Sequence, residues 1–255
     1  MTMSDYDRNV ASARGFGAER AVAFDEGLRA YMIRVYNYMA MGVALTGIVS
    51  WFTFNAAVVT NEAGRIVSLT PFGQAIFGGP ATLVLFLVTL GLVFYLSFRV
   101  QRIQAGTALG LFLLYAGLLG LMLSSVFLAY TLTSVARVFF ISAASFGALS
   151  LYGYTTRRDL SPVGAFLLMG LVGLVLAMIV NMFLASSGMA FVISVIGVLI
   201  FAGLTAWDTQ RIKEMYDVND DGTVAGRKAV MGALALYLDF INLFLMLLRL
   251  LGDRR

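Results

Sequence analysis

Two acidic residues lie within long apolar stretches of the 255-residue chain, where an acid is unexpected. Asp208 follows Leu-Thr-Ala-Trp and precedes Thr-Gln, and Asp239 follows Leu-Tyr-Leu and precedes Phe-Ile-Asn. On insertion scales, an ionised Asp at the middle of a membrane helix costs about 2.5–3.5 kcal/mol. Each of these residues must therefore be protonated, paired with another group or in contact with water.

Neighbouring helices could bring the two carboxyl groups together in one site. Two carboxyls that share a dry site cannot both ionise easily, so the pair titrates as a unit. Such a pair would respond to pH in a chain that has no His. Together with backbone carbonyl oxygens or water, two carboxylates could also bind Ca²⁺ weakly. The alternative is that either Asp is protonated or hydrogen-bonded and only fixes the packing of its helix.

A nearby Arg would compete with a cation for these carboxylates. Arg99 and Arg102 are the candidates, because both lie at the end of a predicted helix, at a suitable depth. The alternative for each of them is an anchoring role at the membrane surface.

A further acidic segment, Asp217-Val-Asn-Asp-Asp-Gly222, matches the first half of an EF-hand loop. The loop pattern requires Glu at its twelfth position, and Lys228 stands there instead. We therefore interpret this segment as a solvated turn rather than a Ca²⁺ loop.

The composition excludes an ordinary soluble protein. The chain is 60% hydrophobic and 13% charged, whereas a soluble domain carries about 25% charged residues. It has neither Cys nor His, which excludes thiol nucleophiles, iron–sulfur clusters, His-ligated metals and Ser–His catalytic pairs. We expect no cofactor.

Runs without charged residues, long enough for the roughly 20 residues of a membrane span, predict an all-α membrane protein with seven transmembrane helices. The helices are predicted at about 35–58, 80–99, 106–129, 137–155, 162–184, 189–211 and 228–250. Residues 1–34 carry ten charges, five of each sign. They are predicted to form a polar cytoplasmic tail ahead of a membrane domain at 35–255.

The distribution of basic residues predicts the orientation. Thirteen of the 18 Lys and Arg residues lie in the tail or in loops on the same side of the membrane as the tail. Because cytoplasmic loops are enriched in Lys and Arg, we predict a cytoplasmic N-terminus and an external C-terminus. Arg254 and Arg255 argue mildly against this, and a last segment that re-enters the membrane would place the C-terminus inside.

Three segments, 146–161, 203–210 and 236–249, together resemble the bacterial branch of the Bax inhibitor-1 family, also called the transmembrane Bax inhibitor motif family. The resemblance extends from about Tyr31 to the C-terminus. Segments 203–210 and 236–249 are specific in combination, and the glycine-rich segment 146–161 is weaker alone. Trp207 stands where the family usually has Tyr.

The resemblance implies a seven-helix bundle with the last helix at its centre, in the bacterial inner membrane. Family members are described as pH-sensitive Ca²⁺ leak channels. In them an aspartate pair senses pH, and Asp208 and Asp239 match that pair. An Arg on the second helix latches the closed state, and either Arg99 or Arg102 could serve.

The leading hypothesis is therefore a pH-gated Ca²⁺ or cation leak with the lipid bilayer, Ca²⁺ and protons as its partners. The alternative is an interaction protein that modulates a membrane protease or a stress-response partner, with residues 1–34 as a candidate contact surface. No nucleic-acid partner is expected. Intramembrane aspartyl proteases carry Gly-x-Gly-Asp at their second Asp, whereas this chain has Leu-Tyr-Leu before Asp239. We therefore expect no enzymatic activity.

Overall fold

The computed structural model describes residues 5–61 and 65–255, with side chains from Glu26 onward except at residue 101. In chain order the elements are α1 (Asp5–Ala57), β1 (Val58–Thr60), β2 (Ile66–Leu69), α2 (Pro71–Gly78), α3 (Pro80–Arg99), a 3₁₀ turn (Val100–Arg102), α4 (Ala105–Leu123), α5 (Val126–Ala129), α6 (Leu132–Thr155), α7 (Ser161–Leu184), α8 (Ser187–Glu214) and α9 (Gly222–Leu251).

Within the described residues, seven helices are long and apolar enough to cross a membrane. They are the part of α1 from Glu26 to Ala57, α3, the stretch from α4 through α5, and α6, α7, α8 and α9. The predicted all-α membrane fold is therefore confirmed. The bounds of α3 agree with the prediction, and those of α7 agree to within one residue.

The first helix begins much earlier than predicted, at Asp5 instead of about residue 35. Residues 26–34 belong to the bundle, because Leu28, Tyr31 and Met32 are buried against its core. The charges between them face outward on the same helix, so they do not end it. The division into a cytoplasmic tail and a membrane domain stays a prediction.

Other predicted features differ in detail. Helix α9 begins at Gly222 instead of about residue 228, because Asp221 caps it there, and a turn at Ser124 and Ser125 divides the predicted helix 106–129 into α4 and α5. Helix α6 begins at Leu132, not at about residue 137, because Arg137 extends to Asp253 from within the helix and does not terminate it.

Between the predicted spans at 35–58 and 80–99, where no element was predicted, the structure has the antiparallel hairpin of β1 and β2 and the short helix α2. The hydroxyl of Thr70 caps α2 by accepting a hydrogen bond from the backbone N–H of Gly73.

Helix α9 is the centre of the bundle, in agreement with the prediction. It packs against α1, α4, α6 and α8, while α3 and α7 lie on the outside against α4 and α8. Contacts of Gly232 with Ile212, and of Gly197 with Met246, fix α8 and α9 antiparallel in close contact. The glycines matter here because a Cβ atom at either position would overlap the opposing side chain.

Helix α9 runs the full length of the bundle. Its 30 residues extend about 45 Å at 1.5 Å per residue. Beyond its end, the backbone N–H of Thr131 donates to the carbonyl of Asp253, and that of Arg255 donates to the carbonyl of Ala129. These bonds hold the C-terminus at the start of α6, so α9 is one continuous helix from one end of the bundle to the other.

Candidate functional site

The register of α8 and α9 brings Asp208 and Asp239 together. Asp208 precedes Ile212 by four residues and Asp239 follows Gly232 by seven, so the two differ in depth by only about 4.5 Å along the helix axes. Their carboxyl groups are close enough to share a hydrogen bond when one of them is protonated. The structure thus joins the two acids that the sequence singled out, at slightly unequal depth.

The two carboxyls differ in their access to water. Asp239 is 5% exposed, whereas the side chain of Asp208 is 14% exposed. Among the described residues no hydrogen-bond donor faces Oδ2 of Asp239, which is fully buried. A buried carboxylate oxygen without a partner is costly, so the pair is stabilised when the two groups hold a proton between them.

Arg211 is the cation beside this pair. Its Nη1 atom lies 3.8 Å from Oδ1 of Asp208, one turn along α8. The guanidinium also lies over the ring of Trp207, 5.4 Å from the ring centre. Its side chain is 56% exposed, so this is a solvent-screened contact rather than a dry ion pair. Sequence reasoning missed Arg211, although ion pairing at i,i+3 on a helix is a signal that could have found it.

A small cavity adjoins the outer member of the pair. It has a volume of about 50 Å³ and is lined by Asp208, Arg211, Met215, Met231 and Gly232, among others. That volume is enough for at least one water molecule, since one water requires about 10–15 Å³ by the same kind of measure. Water can therefore reach Asp208 from the Glu214 end of α8, while Asp239 lies deeper.

Arg99 and Arg102 do not contact the pair in this structure. Arg99 lies in the last turn of α3 and Arg102 in the following 3₁₀ turn, and both side chains are exposed. In the described part of the chain, neither forms an ion pair with Asp208 or Asp239. The latch role of either residue stays a prediction.

The two residues after Asp208 connect α8 to other elements. Oγ1 of Thr209 lies 2.9 Å from Oγ of Ser150 on α6, which lies 2.6 Å from the hydroxyl of Tyr36 on α1. Gln210 binds the loop before α7, where its Oε1 accepts from the N–H of Leu160 at 2.8 Å. Asp208, Thr209 and Gln210 therefore face α9, α6 and the loop before α7, respectively. The contacts of Thr209 and Gln210 hold the side chain of Asp208 in its direction towards α9.

The pair supplies too few ligands to hold a metal ion by side chains alone. Ca²⁺ takes 6–8 oxygen ligands, and within the described residues no group of three or more acidic side chains could hold a metal ion. Backbone carbonyls and water would have to complete the coordination. A Ca²⁺ site at Asp208 and Asp239 stays a prediction.

The carboxylates of the EF-hand-like segment serve the turn itself. Asp217 accepts hydrogen bonds from the backbone and side chain of Asn219, which lowers the pKa of its carboxyl. Asp220 pairs with Lys228 at 2.6 Å. Asp221 caps α9 by accepting from the backbone N–H groups of its first turn. These contacts agree with the interpretation of this segment as a turn.

Comparison with known proteins identifies the family. The model of the family described as "Inhibitor of apoptosis-promoting Bax1" matches residues 28–255. The chain is 45% identical to protein RP147 of Rickettsia prowazekii over 254 residues, which cover 99% of this chain and all of the relative. It is also 45% identical to the inner membrane protein YbhL of Escherichia coli over 232 residues, 90% of this chain and 94% of the relative. This chain therefore belongs to the Bax inhibitor-1 family of integral membrane proteins.

Proposed function

We propose that this protein is a passive, pH-sensitive cation leak for Ca²⁺, with Asp208 and Asp239 as its pH-sensing element. The observation that carries the proposal is the meeting of the two carboxyls between α8 and α9, one buried and one beside a small cavity. We further propose a bacterial inner-membrane location, as in the name of the relative YbhL. The basic loops favour a cytoplasmic N-terminus.

The charge of the pair would control the contact of α8 with α9. When both carboxyls ionise, like charges face each other where the low dielectric makes their repulsion much stronger than in water. When both are protonated, the attraction of Arg211 for Asp208 is lost. The observed arrangement, with the carboxyls in contact, best suits a pair that shares one proton. Protonation would therefore shift the populations of closed and open arrangements of these two helices.

The same pair would attract the permeant cation. Ca²⁺ prefers carboxylate and carbonyl oxygens, and Oδ2 of Asp239 is an oxygen with no donor among the described residues. A cation that reaches the pair would replace the shared proton, which couples permeation to pH.

The test is Ca²⁺ efflux from proteoliposomes between about pH 5 and pH 9, a range in which a shared proton can be gained or lost. Wild type is compared with Asp208→Asn/Asp239→Asn and with the matched control Asp159→Asn/Asp217→Asn, which removes two carboxylates from loops. We expect a pH-dependent leak in wild type and in the control, and a leak that no longer varies with pH in the first variant. Absence of Ca²⁺ flux from wild type at every pH would refute the proposal.

An interaction function is the second candidate, favoured by the length of α1. This helix begins at Asp5, whereas the first long run without a charged residue begins only at Val35. Residues 5–25 would then present a charged helical segment to a membrane-protein partner. Deletion of residues 1–25 that abolishes partner capture while Ca²⁺ flux persists would support this function.

A further inference from the structure

We propose that a cavity at the C-terminal end of α9 is a binding site for a phosphate-bearing anion, supplied by the headgroup of an anionic phospholipid or by a soluble phosphate. This site lies at the opposite end of α8 from Asp208 and is independent of the proposed leak. It lies where α7 ends, α8 begins and α9 ends.

The lining of the cavity combines polar side chains with apolar surface. The cavity has a volume of about 390 Å³, within the roughly 300–1,000 Å³ that small-molecule sites occupy. Its polar lining consists of Asn181, Ser186, Ser187, Ser194, Arg249 and Arg254. A cavity of this size with two guanidinium groups can enclose a phosphate and the polar group attached to it.

The positive charge of the cavity is not compensated. Its lining contains no carboxylate in the part of the chain that the structure describes. Asp253 is adjacent in sequence to Arg254, but its carboxylate pairs with Arg137 at 2.9 Å. Among the described residues, neither Arg249 nor Arg254 has an ion-pair partner. Both side chains are exposed, so the two guanidinium groups are available to an anion in the cavity.

The donor groups fit a phosphate. Arg offers planar, bidentate N–H donors that match phosphate oxygens. Asn181 accepts from the N–H of Ser186 through Oδ1, which leaves its amide NH₂ as a further donor. The hydroxyl of Ser187 adds another. The site thus combines charge with several neutral donors, as tetrahedral anion recognition requires.

The surroundings favour a lipid as the source of the phosphate. The cavity lies at the ends of three membrane spans, the level at which lipid headgroups lie. Next to it, Phe183, Leu184 and Phe191 are 79%, 62% and 61% exposed and provide an apolar surface for acyl chains. A soluble phosphate would use the same donors without using this surface.

The experiment uses the full-length protein in a neutral detergent. Native mass spectrometry measures retention of phosphatidylglycerol against phosphatidylcholine, and thermal unfolding measures the response to inorganic phosphate. The variants are Arg249→Gln/Arg254→Gln and the matched control Arg157→Gln/Arg158→Gln, which removes two exposed Arg residues at the other end of the bundle. If the double Gln variant does not fold, two milder variants replace it in the binding measurement. They are the charge-preserving Arg249→Lys/Arg254→Lys and the single Arg249→Gln.

We expect wild type and the control to retain phosphatidylglycerol in preference to phosphatidylcholine. Loss of both Arg groups should weaken retention about tenfold or more, since one charge-assisted hydrogen bond accounts for roughly that factor. The Lys variant should bind with intermediate strength. A thermal shift by inorganic phosphate that disappears in the Arg249→Gln/Arg254→Gln variant would identify a soluble anion as the ligand. Equal phosphatidylglycerol retention by wild type and that variant, together with no phosphate response, would overturn the proposal.

Discussion

The hydroxyl of Tyr237 on α9 lies 2.7 Å from Oγ1 of Thr46 on α1, at the centre of the bundle. Thr46 in turn donates to the carbonyl of Ala116 on α4 at 2.9 Å, so its oxygen accepts the proton of Tyr237. Both side chains are buried, and Tyr237 has no exposed surface. This chain of hydrogen bonds connects α9 to α1 and α4 at Tyr237, two residues before Asp239. It therefore sets the rotation of α9.

We expect Thr46→Val to destabilise the protein more than Tyr237→Phe. Replacing Tyr237 by Phe removes one hydrogen bond, worth about 0.5–1.5 kcal/mol, and leaves Thr46 bonded to Ala116. Replacing Thr46 by Val leaves the buried hydroxyl of Tyr237 without an acceptor, which costs about 1–3 kcal/mol. Reversible unfolding in detergent micelles measures both. Equal losses would show that the hydroxyl of Tyr237 does not depend on Thr46.

Helices α6 and α8 are in contact through backbone at Gly153. A Cβ atom at this position would overlap the carbonyl of Ala206, two residues before Asp208. We expect Gly153→Ala to destabilise the protein by about 1–3 kcal/mol, the usual cost of overpacking. Because the displaced helix carries Asp208, we also expect an altered pH profile of Ca²⁺ flux.

Gly147 provides the matched control on the same helix. A Cβ atom there meets no atom within 4 Å, so Gly147→Ala should be neutral or slightly stabilising, as Ala is the better helix former. Unfolding of the two variants side by side separates the close approach of α6 and α8 from a general effect of adding a methyl group. A loss at Gly147 as large as that at Gly153 would contradict this explanation.

The sequence predicted the spans well where a charge or a Pro ends an apolar run. Helix α3 is bounded by Pro80 and Arg99, and its observed limits are the predicted ones. The start of α1 was missed because the charges of residues 26–34 obscured a helical pattern. Leu28, Tyr31, Met32 and Val35 are buried at the i, i+3, i+4, i+7 spacing of one helix face, so the signal was present in the sequence.

The candidate site could be predicted only in part. An acid inside an apolar run is visible in one sequence, and the structure brings Asp208 and Asp239 together as expected. The partner cation could not be predicted from helix depth alone. Arg211 lies beside Asp208 because the two are three residues apart on one helix, a spacing that is visible in the sequence. Whether Arg99 or Arg102 reaches the pair depends instead on the packing of α3 in the bundle, which one sequence does not give.

The loop acids should not contribute to pH sensing near neutrality. The pKa of Asp159 is below its usual value because its carboxylate accepts hydrogen bonds from Ser161, and that of Asp217 is lowered by Asn219. A carboxyl whose pKa is lower in the folded state contributes stability above its unfolded pKa of about 4 and loses it as the pH falls below that value.

We therefore expect Asp159→Asn and Asp217→Asn to leave the shape of the Ca²⁺ flux profile unchanged between about pH 5 and pH 9. Each should lower the thermal stability slightly and by a constant amount over that range, and the difference from wild type should disappear in stronger acid, where the wild-type carboxylates are protonated as well. Thermal unfolding across pH, with the flux assay on the same preparations, checks this. A flux midpoint that moves in either variant would assign part of the pH response to the loops.

Arg211 should determine the position of the pH midpoint. Its Nη1 atom lies 3.8 Å from Oδ1 of Asp208, so it favours the ionised form of the pair, and Arg211→Gln should move the flux midpoint to higher pH. Because the guanidinium is 56% exposed, we expect a shift of less than about one pH unit. Arg99→Gln and Arg102→Gln, measured in the same assay, should give smaller shifts, since neither residue contacts the pair here. A larger shift in either of them would instead support its role as the latch, with an arrangement of α3 against α8 different from the one described.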